Sequence, residues 1–254
     1  MALISRLLRR HPRFDPPRTE GRVLAMGDLH GRADLMGDAL AAAAAEGPAT
    51  LVLLGDYVDR GPDAAAVLAR AQALAVGRED VSGLDRVVAL MGNHERMMLD
   101  MLDDPVRHGR RWLRYGGLDT LRGFGIGGLS DLASPPQLRD AADALRAAMP
   151  EGQEAWLRAL PTSWRSGDAI FVHAGLDPAA PPDVQSPKTA IWGHPEFLRT
   201  PRTDGLWVVH GHTIVDAPSA EAGRVACDTG AYETGRLTTA VLGEGPVRFL
   251  CTTG

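Results

Sequence analysis

Short apolar runs alternate with helix-favouring stretches through the first half of the chain. The first three runs each end in a polar cluster: Val23–Met26 before Gly27-Asp28, Leu51–Leu54 before Gly55-Asp56, and Val87–Met91 before Gly92-Asn93. Runs of this length and composition predict buried strands of a parallel sheet. Each predicted strand therefore ends in side chains that could bind a ligand.

The stretches between these strands are rich in Ala and Leu, and they predict crossover helices over residues 33–46 and 63–76. Pro62 is expected in the first turn of the second helix, where the missing N–H of proline costs nothing. The alanine run at 41–45 is expected to pack against a sheet. Strand, helix and strand in succession form the β-α-β units of an α/β fold.

The pattern changes over residues 96–165, which predict a mostly helical cap inserted over the site. Strand-like runs return from Ala169 onward, with fewer helices between them. A β-sandwich flanked by helices accounts for both halves. We therefore expect one domain over residues 21–254, preceded by a partly basic, frayed leader at 1–20.

The composition is that of a folded globular protein, with 44% hydrophobic and 23% charged residues. A formal charge of −5 argues against a nucleic-acid partner, and no apolar run is long enough to span a bilayer. His11-Pro12-Arg13 stands where an export signal would need an apolar core, so a cytoplasmic location is expected. Cys227 and Cys251 are expected to be small buried thiols.

Six residues near the predicted strand ends have side chains that can bind metal. They are Asp28, His30, Asp56, Asn93, His173 and His212. This mixture of oxygen and imidazole ligands suits two divalent ions, with Mn the first choice and Fe or Zn the alternatives. Asp56 is the candidate bridge, because each oxygen of a carboxylate can bind a different cation. A hydroxide held between two metals would attack phosphorus in line, without a covalent intermediate.

Three further residues near the same strand ends could carry the remaining chemistry. His94 follows Asn93 and is a candidate general acid for the leaving alkoxide, with Asp59 orienting its imidazole. Arg60 offers a forked guanidinium for two phosphate oxygens. The alternatives are that Asp59 is a turn residue and that Arg60 forms a surface ion pair.

Five ordered motifs resemble those of the phosphoprotein phosphatase family. They are Gly27-Asp28-Leu29-His30-Gly31, Gly55-Asp56-Tyr57-Val58-Asp59-Arg60-Gly61, Gly92-Asn93-His94-Glu95, His173-Ala174-Gly175 and His210-Gly211-His212-Thr213. Three stretches are similar to the branch of small bacterial and phage enzymes that includes the bacteriophage lambda protein phosphatase. They are Gly92-Asn93-His94-Glu95-Arg96-Met97-Met98, Trp112-Leu113-Arg114-Tyr115-Gly116-Gly117 and Cys227-Asp228-Thr229-Gly230-Ala231. The resemblance implies the calcineurin-like metallophosphoesterase fold, a four-layer α/β/β/α sandwich with a helical cap.

The resemblance also implies which residues share each metal. Asp28, His30 and Asp56 would bind one ion, and Asp56, Asn93, His173 and His212 the other. Phosphate would be held by Arg60, Asn93 and a second arginine, but this chain reads Ile191-Trp192-Gly193-His194 where that arginine is expected. Either His194 or Arg199 could substitute, and a solvent-facing loop histidine is the alternative.

The function expected from the resemblance is a serine/threonine protein phosphatase that uses two metals, acting on a phosphoprotein or a small phosphorylated substrate. The first alternative is hydrolysis of diadenosine polyphosphates, which uses the same core chemistry. A remote alternative is a phosphopeptide or anion binder without catalysis. Arg107, Arg110, Arg111 and Arg114 could guide an anionic substrate, although a solvated helix face is the preferred interpretation.

Overall fold

Two five-stranded sheets, each with parallel and antiparallel neighbours, form the centre of the computed structural model, which describes residues 14–254. The strands are β1 Val23–Met26, β2 Ala49–Leu53, β3 Leu84–Ala89, β4 Ser163–Ser166, β5 Ala169–Val172, β6 Trp207–His210, β7 Ser219–Glu221, β8 Arg224–Ala226, β9 Arg236–Leu242 and β10 Arg248–Thr253. The first sheet has the order β10-β9-β1-β2-β3, and the second has the order β4-β5-β6-β8-β7.

The helices lie mainly on the side of the first sheet. They are α1 Ala33–Ala45, α2 Ala64–Ala75, α3 Asn93–Asp103, α4 Pro105–Trp112, α5 Leu118–Gly123, α6 Pro135–Ala148, α7 Gln153–Arg158, α8 Pro187–Trp192 and α9 Ala231–Thr234. A kinked π turn at Leu113–Gly117 joins α4 to α5. Among residues 14–254, no helix has the length and apolar character needed to cross a membrane.

Parallel pairing confirms the predicted β-α-β units. Strands β1, β2 and β3 run parallel, with α1 and α2 as the crossovers, and their carboxyl ends meet at one edge of the sheet. In the second sheet β5, β6 and β8 are parallel, while β4 and β7 pair antiparallel at the two edges. Both sheets therefore present parallel strand ends from which loops can build a site.

The alternation of side chains along β1 shows how the layers form. Leu24 and Met26 join the core between the first sheet and the helices, whereas Val23 and Ala25 join the core between the two sheets. A third cluster, which includes Val172 and residues around α8, lies on the outer face of the second sheet. Each sheet thus buries both faces, and the fold is the predicted α/β sandwich.

Three details differ from the sequence predictions. Pro62 precedes the cap residue Asp63, because α2 begins only at Ala64; its placement in the first turn was wrong. Cys227 is buried as expected, but Cys251 is exposed because β10 is an edge strand. The short strands β4 and β7 were not predicted, since both are polar edge strands whose hydrogen bonds come from distant neighbours.

The helical segment α3–α7 extends from residue 93 to 158, so it begins three residues before the expected cap at 96–165 and ends inside it. Of the predicted leader, residues 1–13 lie outside the described part of the chain. Residues 14–20 contact the second sheet: the N–H of Arg18 donates to Asp168 Oδ1 at 2.7 Å, and that of Glu20 donates to Ser166 Oγ at 2.8 Å. The Phe14 ring packs edge-on against Trp207 at 5.5 Å.

Candidate metal and phosphate site

The loops that follow parallel strands bring the predicted site residues together. Asp28 follows β1, Asp56 follows β2, Asn93 begins α3 after β3, His173 follows β5 and His212 follows β6. All five are buried or partly buried. Open α/β sheets collect ligands at the carboxyl ends of their strands, and here two such sheets contribute to one place.

The backbone of these loops is strained where the site residues lie. Among the described residues, six non-glycine residues have positive φ, and five are predicted site residues: His30 at 41°, Asp56 at 52°, Asp59 at 71°, Arg60 at 69° and His212 at 61°. A non-glycine residue in this region costs about 1–3 kcal/mol, so the surrounding contacts must hold it there. Such strain clusters at functional sites, because it aims side chains that an unstrained turn would not.

Asp56 lies at the centre of the site. Its Oδ2 is 3.5 Å from His30 Nε2 and 3.4 Å from His173 Nε2, while its Oδ1 accepts the backbone N–H of His94 at 3.0 Å. A Cβ on Gly92 would lie 2.2 Å from Asp56 Oδ1, so only glycine allows this approach. One carboxylate therefore faces imidazoles from both sheets.

Hydrogen bonds to the backbone fix which nitrogen of each imidazole faces Asp56. Nδ1 of His30 donates to the Val58 carbonyl at 2.7 Å, and Nδ1 of His173 donates to the Leu54 carbonyl at 2.9 Å. The neutral rings therefore direct the lone pairs of Nε2 toward the Asp56 carboxylate. Asn93 Oδ1 is 2.8 Å from Nε2 of His173. While both imidazoles are neutral, these electron pairs repel one another unless a cation lies between them, so the residues fit a metal site.

The charges in the site point to the same requirement. Burial lowers the pKa of His30 to about 3, and burial together with His173 lowers the pKa of His212 to about 4. Burial also acts to lower the pKa of His173, but the Asp56 and Asp28 carboxylates outweigh it and raise that pKa to about 10. A field that holds a proton on His173 also attracts a divalent cation.

Two groups of metal-capable side chains occur among residues 14–254, each with ligand atoms within 4.8 Å of one another. One contains His30, Asp56 and His94, and the other contains Asp56, His173 and His212. Asp56 belongs to both. Asp28 accepts the backbone N–H of His212 through both carboxylate oxygens, each at 3.1 Å.

His94 and Asp59 form a buried pair. Nδ1 of His94 lies 2.6 Å from Asp59 Oδ2, and neither side chain is more than 2% exposed. Burial acts to lower the pKa of His94, but the Asp56 and Asp59 carboxylates outweigh it, so the pKa is raised above its ordinary value. The raised pKa favours a protonated imidazole, which is the state a general acid needs.

Two residues without a predicted role hold Asp59 in place. Trp112 Nε1 donates to both carboxylate oxygens, at 3.0 and 3.1 Å, and Thr120 Oγ1 donates to Oδ1 at 2.7 Å. Thr120 Oγ1 also accepts the backbone N–H of Asp59 at 2.8 Å. Of these two residues only Trp112 could have been suspected from the sequence, because the N–H of a buried indole requires a hydrogen-bond acceptor. No local pattern marks Thr120.

Glu95 organises the loop that carries Asp56. Its buried carboxylate accepts four backbone N–H groups: those of Asp56 at 2.9 Å, Tyr57 at 2.8 Å, Val58 at 3.1 Å and Gly92 at 3.1 Å. Burial and the Asp56 charge raise the pKa of Glu95 to about 7, while the hydrogen bond from Val58 opposes the rise. The sequence identified Glu95 only as part of a motif, whereas the structure makes it the anchor of two ligand loops.

Arg60 lies beside His94 at the edge of the site. Its Nη2 is 3.2 Å from His94 Nε2, and its backbone runs against Gly116, where a Cβ would be 2.7 Å from the Arg60 nitrogen. A cleft of about 420 Å³ opens here. Its walls are formed by Arg60, Arg114, Tyr115, Gly116, Asp119 and Tyr232.

The structure does not place His194 in either metal group. Its Nε2 lies 4.0 Å from Asp177 Oδ2, and its Nδ1 accepts the N–H of Glu196 at 3.3 Å. Arg199 is exposed and lies 3.8 Å from Glu196. The loop after α8 therefore contacts its own Glu196 and, before α8 in the chain, Asp177.

The arginines of α4 and the turn after it, which could guide an anionic substrate, partly contact other residues of the chain. Arg110 donates to the Ala133 carbonyl at 3.0 Å, and Arg114 lies 3.3 Å from Asp131. Arg111 stacks on Trp192, with its guanidinium carbon 5.1 Å from the ring centroid. The end of α4 thus meets the end of α8.

Residues 21–216 match the family model described as calcineurin-like phosphoesterase, and the chain belongs to this family. It is a metallophosphoesterase, a metal-dependent hydrolase of phosphate esters. No curated protein sequence matches the chain.

Solved structures with a similar fold include enzymes of several specificities. A putative diadenosine tetraphosphatase is 21% identical with a TM-score of 0.61, covering 94% of this chain and 99% of its own. A cold-active protein-tyrosine phosphatase from a psychrophilic Shewanella species is 20% identical with a TM-score of 0.55, covering 94% and 82%. A protein serine/threonine phosphatase from Saccharomyces cerevisiae is 15% identical with a TM-score of 0.52, covering 93% and 81%. At these identities the likeness shows the fold alone.

Proposed function

We propose that this metallophosphoesterase binds two divalent metal ions and hydrolyses phosphoserine and phosphothreonine esters in proteins. One observation carries the binuclear assignment: Asp56 Oδ2 lies between His30 Nε2 and His173 Nε2, at 3.5 and 3.4 Å. A carboxylate shared in this way suits a bridging ligand of two cations.

The ligand sets follow the loops described above. Asp28, His30 and Asp56 would hold one ion, and Asp56, Asn93, His173 and His212 would hold the other. The proposed metal is Mn at both positions. When bound, the two ions supply Lewis acidity and lower the pKa of a water molecule. Arg60 and Asn93 orient the phosphate, and Arg60 offers the forked geometry that phosphate oxygens accept.

His94 is the proposed general acid. Its imidazole neighbours Asp56 and Arg60, so it faces the place where the phosphate would lie. Asp59 holds Nδ1, which leaves Nε2 to donate a proton to the leaving alkoxide. Trp112 and Thr120 fix the Asp59 carboxylate and keep the imidazole in one orientation.

A phosphoprotein is the leading substrate because the five motifs resemble those of protein phosphatases. Diadenosine polyphosphate hydrolysis is the second candidate, and the cleft beside Arg60 favours it. Tyr115 in this cleft is 53% exposed and could stack on a base, while the neighbouring Arg114 could bind a second phosphate.

The deciding experiment compares two substrates with metal-stripped protein to which Mn is added back. Metal-dependent release of phosphate from a phosphothreonine peptide supports the leading proposal. Preferential hydrolysis of diadenosine tetraphosphate, lost on Tyr115→Ala, would favour the second candidate instead. Inactivity toward both substrates, with Mn bound, would favour the remaining candidate, an anion binder without catalysis. Asp56→Asn is the matched inactive control.

A further inference from the structure

Tyr232 contacts a proposed phosphate ligand and a proposed metal ligand at once. The guanidinium carbon of Arg60 lies over its ring, 4.6 Å from the centroid. The ring of His30 meets it edge to face at 5.3 Å, with an angle of 82° between the two planes. The Tyr232 ring therefore packs against side chains from two separate loops.

The turn that carries Tyr232 is held on several sides. Arg32 Nη1 donates to the Ala231 carbonyl at 2.8 Å, which ties this turn to the loop that contains His30. Asp228 Oδ1 accepts the N–H of Gly230 at 2.8 Å, and Thr234 Oγ1 donates to the Thr229 carbonyl at 2.7 Å. These contacts hold the backbone of the turn, and with it the Cα of Tyr232, beside the site.

Arg60 has few other restraints. Within residues 14–254 no carboxylate forms an ion pair with its guanidinium. Its one hydrogen-bond partner there, His94 Nε2 at 3.2 Å, can accept only while that imidazole is neutral. A free arginine side chain carries considerable rotamer entropy, which is lost when it binds an anion. A guanidinium already stacked on an aromatic face loses less, since the face restricts it beforehand.

We propose that Tyr232 is a positioning residue that holds the Arg60 guanidinium ready for the phosphate, through the face of its ring and not through its hydroxyl. This inference rests on the proposed role of Arg60 in phosphate binding. It predicts that the ring stabilises bound phosphate without taking part in the proton transfer.

The test uses the full chain loaded with Mn and compares Tyr232→Leu, Tyr232→Phe and the wild type. Isothermal calorimetry gives the Kd of inorganic phosphate, and hydrolysis of p-nitrophenyl phosphate gives KM and kcat. Loss of the cation–π contact should weaken phosphate binding by roughly 2- to 30-fold in Tyr232→Leu, with KM rising more than kcat falls. Tyr232→Phe keeps the ring and should behave as wild type.

A double-mutant cycle separates positioning from general disruption. In an Arg60→Ala background, Tyr232→Leu should cause no further loss of phosphate affinity, because the partner of the ring is gone. Glu233→Leu places the same new side chain one residue along the turn and should leave the phosphate Kd unchanged. Tyr232→Gln replaces Tyr232→Leu if the latter does not fold.

Three results would overturn the inference. The first two are an unchanged phosphate Kd in the ringless variants and equal losses in Tyr232→Phe and Tyr232→Leu. Equal losses from Tyr232→Leu with and without Arg60 would also overturn it, since the ring would then act elsewhere. Failure of the proposed function is distinct, because it would show as wild-type protein that binds Mn and phosphate but hydrolyses no ester.

Discussion

Replacement of Glu95 by glutamine removes one of the two carboxylate oxygens that hold the Asp56 loop. The carboxylate accepts two backbone N–H groups at each oxygen, from Tyr57 and Val58 at Oε1 and from Asp56 and Gly92 at Oε2. Glutamine keeps one oxygen, so two of the four donors would face an amide NH₂. Glu95 is charged above its pKa of about 7. A hydrogen bond to a charged group contributes about 1.5–3 kcal/mol, so in that pH range losing two lowers the free energy of unfolding by about 3–6 kcal/mol.

This loss is a large fraction of the stability of an ordinary domain, which is about 5–15 kcal/mol. Urea unfolding of metal-free protein would measure it, and amide hydrogen exchange at residues 56–58 would locate it. Glu79→Gln is the matched control, because Glu79 forms a partly exposed pair with Arg70 at 3.0 Å. Such a pair is worth only about 0–1 kcal/mol.

A Glu95→Gln protein no less stable than Glu79→Gln would refute this reasoning. Unchanged exchange of the three N–H groups would do so independently, because it would show that the carboxylate does not restrain the loop. A Glu95→Gln protein that is less stable than Glu79→Gln, but by less than about 3 kcal/mol, with faster exchange only at residues 56–58, would confine most of the effect to local opening.

Four further outcomes are expected. Asp56→Asn should lose turnover and metal content, measured by mass spectrometry of the purified protein; full occupancy with a normal rate would exclude a shared ligand. His94→Asn should keep its metal and slow alkyl phosphate hydrolysis by about 10²–10⁴-fold, with a smaller effect on p-nitrophenyl phosphate; loss of metal would make His94 a ligand. Gly116→Ala adds a Cβ 2.7 Å from the backbone nitrogen of Arg60 at a φ of 114°, whereas the Cβ added by Gly125→Ala, at a φ of 78°, meets nothing within 4 Å. Gly116→Ala should therefore lower the free energy of unfolding in urea by about 1–3 kcal/mol more than Gly125→Ala does. Equal losses of stability would contradict the close contact. Chelation should lower the stability of Mn-loaded protein by about 2.7 kcal/mol for each metal site that starts at a free metal concentration of 100 Kd, and an unchanged unfolding curve would argue against a metal bound in the folded state.

Signals local to the chain predicted the framework of the fold. The apolar runs ending at Asp28, Asp56 and Asn93 have the composition of buried parallel strands, and they form β1, β2 and β3. The Ala/Leu-rich segments form α1 and α2 within a residue or so of the predicted bounds. These features could be predicted because side-chain periodicity and turn residues act over short stretches of chain.

Elements stabilised by distant partners could not be predicted in the same way. Strand β4 is short and polar, and only its pairing with β5 makes it a strand. Residues 14–20 belong to no regular element, yet Asp168 and Ser166 accept their backbone N–H groups. Nothing in either segment differs from an ordinary loop until the second sheet is in place.

For the candidate site, the sequence by itself determined which residues have the right chemistry and the order in which the strands present them. Only the tertiary structure decided their partners: Trp112 and Thr120 on Asp59, Glu95 on the loop of Asp56, and Tyr232 on Arg60. The physical reason is that ligand type is a property of each side chain, whereas orientation and charge depend on groups that folding brings from other loops.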